Sequence, residues 1–353
     1  MKIISLFSGC GGLDLGFRKA GFQVIWANEY DKSIWDTYTF NHPETQLDKR
    51  NIREIKSSEI PDCIGIIGGP PCQSWSEAGS GRGINDYRGQ LFYEYIRIVK
   101  DKQPLFFLAE NVSGILAAKH TQAFTNILNH FQQIGYEVSY KLLNANHYQV
   151  PQDRKRVIIV GYHHKIGGGF AFPKKHHCRL TLKDAIYDLS FVDPVQVTDR
   201  INNFHPQVSN HEYLDASFSS IYMSRNRVRS WSEPSFTIQA GGRHAPIHPQ
   251  ASKMIFIEKD KRIFDPKSPK PYRRLSVREC ARIQTFPDNF MFKYNRITDG
   301  YKMVGNAVPV NLSRILAQKI FTDMREYLQF GSCSQLRQEK YPKQLTLISP
   351  NSI

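Results

Sequence analysis

Five apolar runs punctuate the first 160 residues: KIISLF (2–7), FQVIWANE (22–29), CIGIIGG (63–69), PLFFLAEN (104–111) and RVIIVGY (156–162). Amphipathic stretches at 12–20, 31–40, 90–101 and 121–134 separate them. Runs of strand length alternating with helical periods make βαβ units, and strands that are apolar throughout need cover on both faces. The pattern predicts an α/β fold built on a mostly parallel, doubly wound sheet. In such sheets ligands sit beyond the carboxyl ends of the strands. The unusual residues of this half all follow a run: FSGCGG (7–12), Glu29, GGPPCQ (68–73) and ENV (110–112).

From about residue 166 the texture changes. GGG, HPQ and PKSPKP mark a loop-rich region reaching about 272, which reads as a smaller second domain. Regularity returns at LSVRECARIQTF (275–286), where Ser276 and Glu279 have capping-box spacing and start a helix. DGYKMVGNAVPV (299–310) reads as a loop leading into a last amphipathic helix at about 309–329. The expected division is 1–170 with 300–330 as a catalytic, cofactor-binding domain, 171–299 as a recognition domain, and 331–353 as a polar tail.

A formal charge of +15 and a pI of about 9.5 favour polyanionic partners through long-range attraction and counterion release. No apolar run approaches the roughly 18 residues that span a bilayer, and MKIISLF reads as a first strand rather than a signal peptide. The six cysteines, at 10, 63, 72, 178, 280 and 333, form no CxxC pair. That argues against a disulfide framework or a zinc site and for a reduced cytosol. His176-His177-Cys178 is the one metal-like triplet and reads as a polar loop.

The glycine turn FSGCGG lets a ligand approach the backbone. It lacks the third glycine of a dinucleotide fingerprint, because Asp14 stands there, and it lacks the lysine of a phosphate-binding loop. It suits a nucleoside with a carboxylate and no phosphate, such as S-adenosyl-L-methionine, with Glu29 accepting bonds from ribose hydroxyls. Cys72, framed by two glycines and two prolines, reads as a nucleophile. Glu110, at a strand tip in a partly dry setting, suits proton donation. Arg154 and Arg156, two apart on entering a strand, share a face and can hold a carbonyl oxygen or a phosphate. Plainer roles compete with each: a structural turn, an inert buried thiol, a structural ion pair.

Together these groups make one reaction intelligible. A thiolate added at carbon 6 of cytosine, with an acid at ring nitrogen 3, turns carbon 5 into an enamine carbon able to attack the methyl of a sulfonium. Loss of the carbon 5 proton then expels the cysteine. Because the target atoms lie inside a duplex, the base must swing out, at a cost of a few kcal/mol.

In order along the chain, FSGCGG, GPPCQ, ENV, QDRKR, RRLSVRECARIQTFPD and GNAVP resemble the motif series of bacterial DNA (cytosine-5) methyltransferases, over about residues 1–330. NHEY (210–213), MSRNRVR (223–229), EPSFTIQA (233–240) and HPQA (248–251) resemble, more narrowly, the HaeIII-type enzymes that modify GGCC. The resemblance implies the class I S-adenosylmethionine-dependent methyltransferase fold with a smaller DNA-recognition domain. It implies Cys72 as nucleophile, Glu110 at nitrogen 3 and the exocyclic amine, Arg156 on the cytosine carbonyl, and Arg154 steadying the site. Around the cofactor it places Phe7, Ser8, Gly9, Gly11, Gly12, Glu29, Tyr30, Asn51, Ile52, Pro70, Leu91, Asn306 and Val308. Asn51 stands where the family usually has an acid for the adenine amino group. The late position of Gly305-Asn306 implies that the last helix folds back beside the first strand.

Arg225, Arg227 and Arg229 alternate and, if extended, project to one face, where arginine pairs bidentately with guanine; Arg243 and Gln239 complete the expected DNA-binding set. The implied setting is the modification half of a restriction–modification system in the bacterial cytoplasm. The enzyme would act as a monomer on double-stranded DNA, with no metal, membrane or obligate protein partner. Two rivals are a tRNA cytosine-5 methyltransferase and a catalytically silent sequence-specific DNA-binding protein.

Overall fold

The structure, a computed structural model, describes residues 1–71, 90–201 and 205–331. Seven strands form the central sheet: β1 (Lys2–Leu6), β2 (Gln23–Asn28), β3 (Gln46–Asp48), β4 (Gly65–Gly68), β5 (Phe106–Val112), β6 (Tyr136–Asn144) and β7 (Lys155–His163). Their order is β3-β2-β1-β4-β5-β7-β6. The first five are mutually parallel, and β7 runs antiparallel to both β5 and β6. After β1 the chain builds outward one way through β2 and β3, then returns to build the other way from β4. The strand order thus reverses between β1 and β4, where such sheets open a crevice at their carboxyl ends.

Successive strand residues point to opposite faces, so each apolar run supplies two cores. Ile3, Ile67, Phe106, Leu108 and Val160 pack on one face under α1 (Gly12–Lys19) and α9 (Val310–Phe330). Ile4, Ile66, Phe107, Ala109 and Ile159 pack on the other. There they meet α3 (Gln90–Lys102) and α4 (Thr121–Gln133), and the short α2 (Trp35–Asn41) follows β2. The last helix does fold back beside the start of the chain. A side chain at Gly16 of α1 would fall 2.2 Å from Ser313 Oγ of α9, and that hydroxyl donates to the Leu13 carbonyl at 2.6 Å.

The middle region is loop-rich, as expected. Its regular elements are short: α5 (Leu182–Ile186), β8 (Val195–Val197), β9 (Glu212–Leu214), α6 (Ser220–Met223), β10 (Ile255–Glu258) and β11 (Lys261–Ile263). Arginines do much of the work that a sheet would do elsewhere. Arg274 donates to the carbonyls of Leu214, Ala216 and Ser217, and Arg278 to those of Ser209, Pro287 and Phe290. A planar guanidinium with five donors satisfies several loop carbonyls that would otherwise be buried unpaired.

Three sequence expectations need correction. Residues 136–144 form the edge strand β6, which the apolar-run criterion passed over because only two of its nine residues are buried. The short β3 was passed over likewise. The stretch read as a loop before the last helix contains α8 (Ile297–Asn306), whose Ile297, Tyr301, Met303 and Val304 are buried beside α7 (Val277–Ile283). Tertiary burial there outweighs the helix-weakening Gly300 and Gly305. Among the described residues no helix is long and apolar enough to cross a membrane.

The expected capping box is present: Ser276 Oγ accepts from Glu279 N at 3.1 Å, and Glu279 Oε2 accepts from Ser276 N at 2.7 Å. Glu279 also takes two 2.8 Å bonds from the Arg273 guanidinium. Burial, the largest single influence, raises this carboxyl, but the Arg273 charge and hydrogen bonds, with His248 and His211, together outweigh it and hold the group at about 2, against an ordinary 4.5. Its contribution is therefore complete above about pH 4.5 and fades as pH falls toward 2. Glu279→Gln should destabilise the protein by about 3–5 kcal/mol at neutral pH, since it leaves Arg273 buried without its charge partner. In denaturant titrations the gap from wild type should close as pH drops through that window; a pH-independent gap would refute the ionic assignment.

Candidate active site

A cavity of about 510 Å³ opens at the carboxyl ends of β1 and β4. Its floor is the turn after β1. Phe7 there has φ 53°, a left-handed conformation that costs a non-glycine residue about 1–2 kcal/mol and is held by the surrounding structure. Gly9 (φ 55°) has nothing within 4 Å of where a side chain would stand, so its bareness leaves open space at the cavity. Ser8 N bonds the Asn28 carbonyl at 3.1 Å, tying the turn to the end of β2.

Glu29, just past β2, accepts from Gly9 N at 2.8 Å and Asp31 N at 2.7 Å. Burial raises its carboxyl, while those two N–H bonds oppose the rise. A carboxylate has about four acceptor sites, so two remain for hydroxyl donors. A carboxylate here repels phosphate and favours a cationic, hydroxyl-bearing ligand, which is the chemistry of a sulfonium nucleoside. Asp31 adds a second acid and is ion-paired with Lys302 of α8. Asp14, where a dinucleotide fingerprint would have glycine, accepts from Ser5 Oγ at 2.7 Å and Tyr38 Oη at 2.6 Å beneath the turn. Burial raises it to about 6.

The opposite wall carries Glu110, near the end of β5. Its Oε1 lies 2.8 Å from Arg156 Nε. Its Oε2 faces Gly69, 3.5 Å from the position a side chain there would take, so the GGPP turn passes directly in front of the carboxylate. Asn111 Nδ2 donates to the Pro70 carbonyl at 3.3 Å and fixes that turn. Pro71 lines the cavity and is the last described residue before the gap. Cys72, next in the chain, lies outside the described residues.

Arg154 is buried, with 1% exposure, and donates to the carbonyls of Ile238 (2.9 Å), Gly305 (2.8 Å) and Ala307 (3.0 Å). Beside it, Gln152 Oε1 accepts from Ile238 N and its Nε2 donates to Gln284 Oε1, each at 2.9 Å; Gln284 Nε2 donates to the Val304 carbonyl at 2.9 Å. These three side chains clamp together the 237–240 and 303–308 segments that close the cavity. Gly305 needs its missing side chain, which would stand 2.3 Å from the Gln239 backbone.

The cavity gathers Phe7, Ser8, Gly9, Gly12, Glu29, Pro70, Glu110, Arg154, Arg156, Gln239, Asn306 and Val308 from the residues read in the sequence. Five of the residues expected around the cofactor stand off its described lining. Gly11 backs onto His42, where a side chain would lie 2.1 Å from Nε2. Tyr30 is 67% exposed past the end of β2. Asn51 caps the next short turn, accepting from Arg53 N at 3.2 Å, while Ile52 is buried in the second core and Leu91 packs against it. Thr237, Ile238, Ala240 and Met303 line the cavity and were not read as site residues; Asn111 was visible only as the neighbour of Glu110.

The arginine segment does not run as a strand. Only Val228 makes a β-bridge, to Ile247. Arg229 turns to Asp153 (3.3 Å) and Glu233 (3.1 Å), and Arg227 folds onto the Tyr222 and Ile221 carbonyls and the Tyr222 ring. Arg225 and Arg243 remain exposed. Acceptors close at hand decide these orientations, so the expected common face is not formed.

Comparison with known proteins gives a consistent picture. The family description "C-5 cytosine-specific DNA methylase" matches residues 1–322. The chain is 58% identical over 328 residues to the Type II methyltransferase M.MthTI of Methanothermobacter thermautotrophicus, covering 93% of this chain and 99% of that one. It is 56% identical over 324 residues to M.FnuDI of Fusobacterium nucleatum, covering 91% and 94%. In fold it is similar to the solved methyltransferase EhMeth of Entamoeba histolytica, with a TM-score of 0.66 at 17% identity over 92% of this chain and 98% of that one.

Among the described residues Cys10 is the cysteine that lines this cavity, and its surroundings suppress its nucleophilicity. Its sulfur donates to the Met303 carbonyl at 3.5 Å and burial pushes the thiol up to about 12. Its thiolate fraction at neutral pH is then about three thousandfold below that of a free cysteine of pKa about 8.5. Alkylation at pH 8 followed by peptide mass mapping should label exposed Cys178 and leave Cys10 and buried Cys280 untouched. Labelling of Cys10 at the rate of Cys178 would contradict this.

Proposed function

Because the chain belongs to the family of C-5 cytosine-specific DNA methylases, we propose that it methylates the inner cytosine of GGCC in double-stranded DNA. As a member it transfers methyl groups to carbon 5 of cytosine in DNA, using S-adenosylmethionine. The finer reading is the modification half of a restriction–modification pair, acting as a monomer in the cytoplasm. The relatives' standing as Type II methyltransferases supports it. So does the likeness of NHEY, MSRNRVR and EPSFTIQA to the GGCC-modifying enzymes.

The observation that carries the mechanism is the placing of the Glu110 carboxylate against Arg156 and directly behind the GGPP turn that leads to Cys72. Across the same cavity Glu29 and Gly9 form the cradle suited to a sulfonium nucleoside. The cofactor, when bound, supplies an electrophilic methyl group. In the proposed reaction a cytosine leaves the stack and enters the cavity. The Cys72 thiolate adds to carbon 6 while Glu110 delivers a proton to nitrogen 3. The Arg156 guanidinium holds the cytosine carbonyl and, through its 2.8 Å contact, orients Glu110. After methylation, water takes the carbon 5 proton as the ring double bond re-forms and Cys72 leaves as thiolate, while nitrogen 3 returns its proton to Glu110. Arg154 acts by positioning, since its three bonds go to backbone carbonyls of the cavity wall.

Residues 171–299 carry target recognition in this reading. Arg225 and Arg243, both exposed, are the side chains available to guanine edges, with Arg227 free to leave the Tyr222 ring; Arg229 holds Asp153 and Glu233 and keeps the segment in place. Incubation of plasmid with enzyme and cofactor, followed by bisulfite sequencing, should place new methylcytosine at GGCC. Modification spread over other contexts would reject the site assignment. Arg243→Ala should lower discrimination at one base pair by about 1–3 kcal/mol, whereas Arg229→Ala should weaken binding without relaxing the preference.

A further inference from the structure

Between Asp153 and Asp184 the chain carries no acidic residue, while Lys and Arg occur at 154, 155, 156, 165, 174, 175, 179 and 183. The KKHHCR run within this stretch, singled out above for its metal-like triplet, has a definite place in the fold. Tyr148 Oη donates to the Pro173 carbonyl at 3.3 Å, His176 N to the His147 carbonyl at 2.9 Å, and Asn146 Nδ2 to the Leu180 carbonyl at 3.3 Å. Residues 173–180 are thereby strapped along the 144–154 loop.

That loop belongs to the cavity side of the sheet. It joins the end of β6 to the start of β7, and its last residue is Arg154 of the cavity wall. Its other neighbour is the recognition segment: Ser235 N donates to the Pro151 carbonyl, and Thr237 Oγ1 to the Asp153 carbonyl at 2.6 Å. The basic run continues into the same region, because Leu182 N and Lys183 N donate to the carbonyls of Glu233 and Trp231. It therefore lies one loop away from the cavity and adjoins the segment that carries Arg229 and Glu233.

Lys174, Lys175 and Arg179 are exposed, as is Lys155 nearby. Among the described residues none of Lys174, Lys175 and Arg179 forms an ion pair. The two acids that bracket the stretch are occupied, Asp153 by Arg229 and Asp184 by Thr181. The field of the ridge reaches its neighbour: His147 is held below its ordinary value first by burial and then by the Arg179 and Lys175 charges. Lys174, Lys175 and Arg179, exposed along one strap and in no ion pair among the described residues, repel one another, and a polyanion that releases counterions relieves that repulsion.

We infer that Lys174, Lys175, Arg179 and Lys155 form a ridge that grips the phosphate backbone of duplex DNA on one flank of the target cytosine. The inference rests on the reading of duplex DNA as substrate. The ridge supplies affinity and register, and carries no sequence information.

The test is the salt dependence of binding to a duplex with GGCC at its centre and about ten base pairs on each side. Each phosphate contact contributes about 0.9 to the slope of log K against log salt. K174A/K175A/R179A should lose about 2–3 from that slope and keep its preference for GGCC over a scrambled duplex. It should also keep wild-type turnover at saturating DNA. The charge-retaining K174R/K175R/R179K should restore the slope, and a duplex trimmed to GGCC with about two flanking pairs should bind both proteins alike. An unchanged slope, with methyl transfer to duplex intact, overturns this inference alone. Absence of methyl transfer to duplex by the wild type overturns the functional reading and the ridge with it.

Discussion

The buried guanidinium of Arg154 is the contact on which the site's architecture depends. It joins Ile238, Gly305 and Ala307, which lie 84, 151 and 153 residues away in sequence. A cation taken out of water is costly unless its donors are met, and unmet donors would cost more than the bonds return. Here three carbonyl dipoles meet its terminal nitrogens, while Nε has no partner among the described residues. Burial and the neighbouring Arg156 charge push the guanidinium well below its ordinary value, opposed by the Glu110 carboxylate. The same side chain therefore closes the cavity wall at a desolvation cost that the three carbonyls and Glu110 offset in part. The Gln152–Gln284 amide pair repeats the device beside it, again with both residues fully buried.

Around that clamp, the sheet topology decides what the cavity can hold. Reversal of strand order between β1 and β4 places the glycine turn, Glu29 and the GGPP turn around one crevice. The parallel strands aim their carboxyl ends at it, so the segments at or just past the ends of β1, β2, β4 and β5 each contribute a wall. The charges then sort the ligands. Glu29 and Asp31 make one end acidic, which the proposed function gives to the cofactor, and Arg156 with Glu110 makes the other end an ion pair, which it gives to the cytosine ring. The exposed surface near the mouth is basic, so a polyanion approaches from outside while a cationic cofactor is favoured inside.

Much of this was legible in the sequence because it depends on local pattern. The runs that became β1, β2, β4, β5 and β7 are buried almost throughout, and burial of that kind writes itself as continuous apolar sequence. The capping box at Ser276 and Glu279 is a four-residue signal, and the strand-end position marked Glu29 and Glu110. The edge strand β6 left no such mark, since polar Glu137, Ser139 and Lys141 interrupt it and Tyr140 and Leu142 stay exposed. The helix α8 hid behind two glycines and declares itself only through burial of Tyr301 and Met303. The clamp around Arg154 could not be read at all, because its partners are backbone carbonyls whose identity no side chain encodes. The orientations of Arg227 and Arg229 failed for the same reason: nearby acceptors, invisible in the spacing, turned them.

The account rests on one sulfur reaching an extruded pyrimidine at the cavity where Glu110, Arg156 and the GGPP turn converge. A duplex carrying 5-fluorocytosine at the target tests it most directly, because fluorine at carbon 5 blocks the proton loss that would release the thiolate. Incubation with enzyme and S-adenosylmethionine, denaturation and peptide mass mapping should find the methylated fluoropyrimidine bonded to the Cys72 peptide. Adduct on Cys10, or a denaturable complex from an enzyme that still methylates ordinary duplex, would contradict the account.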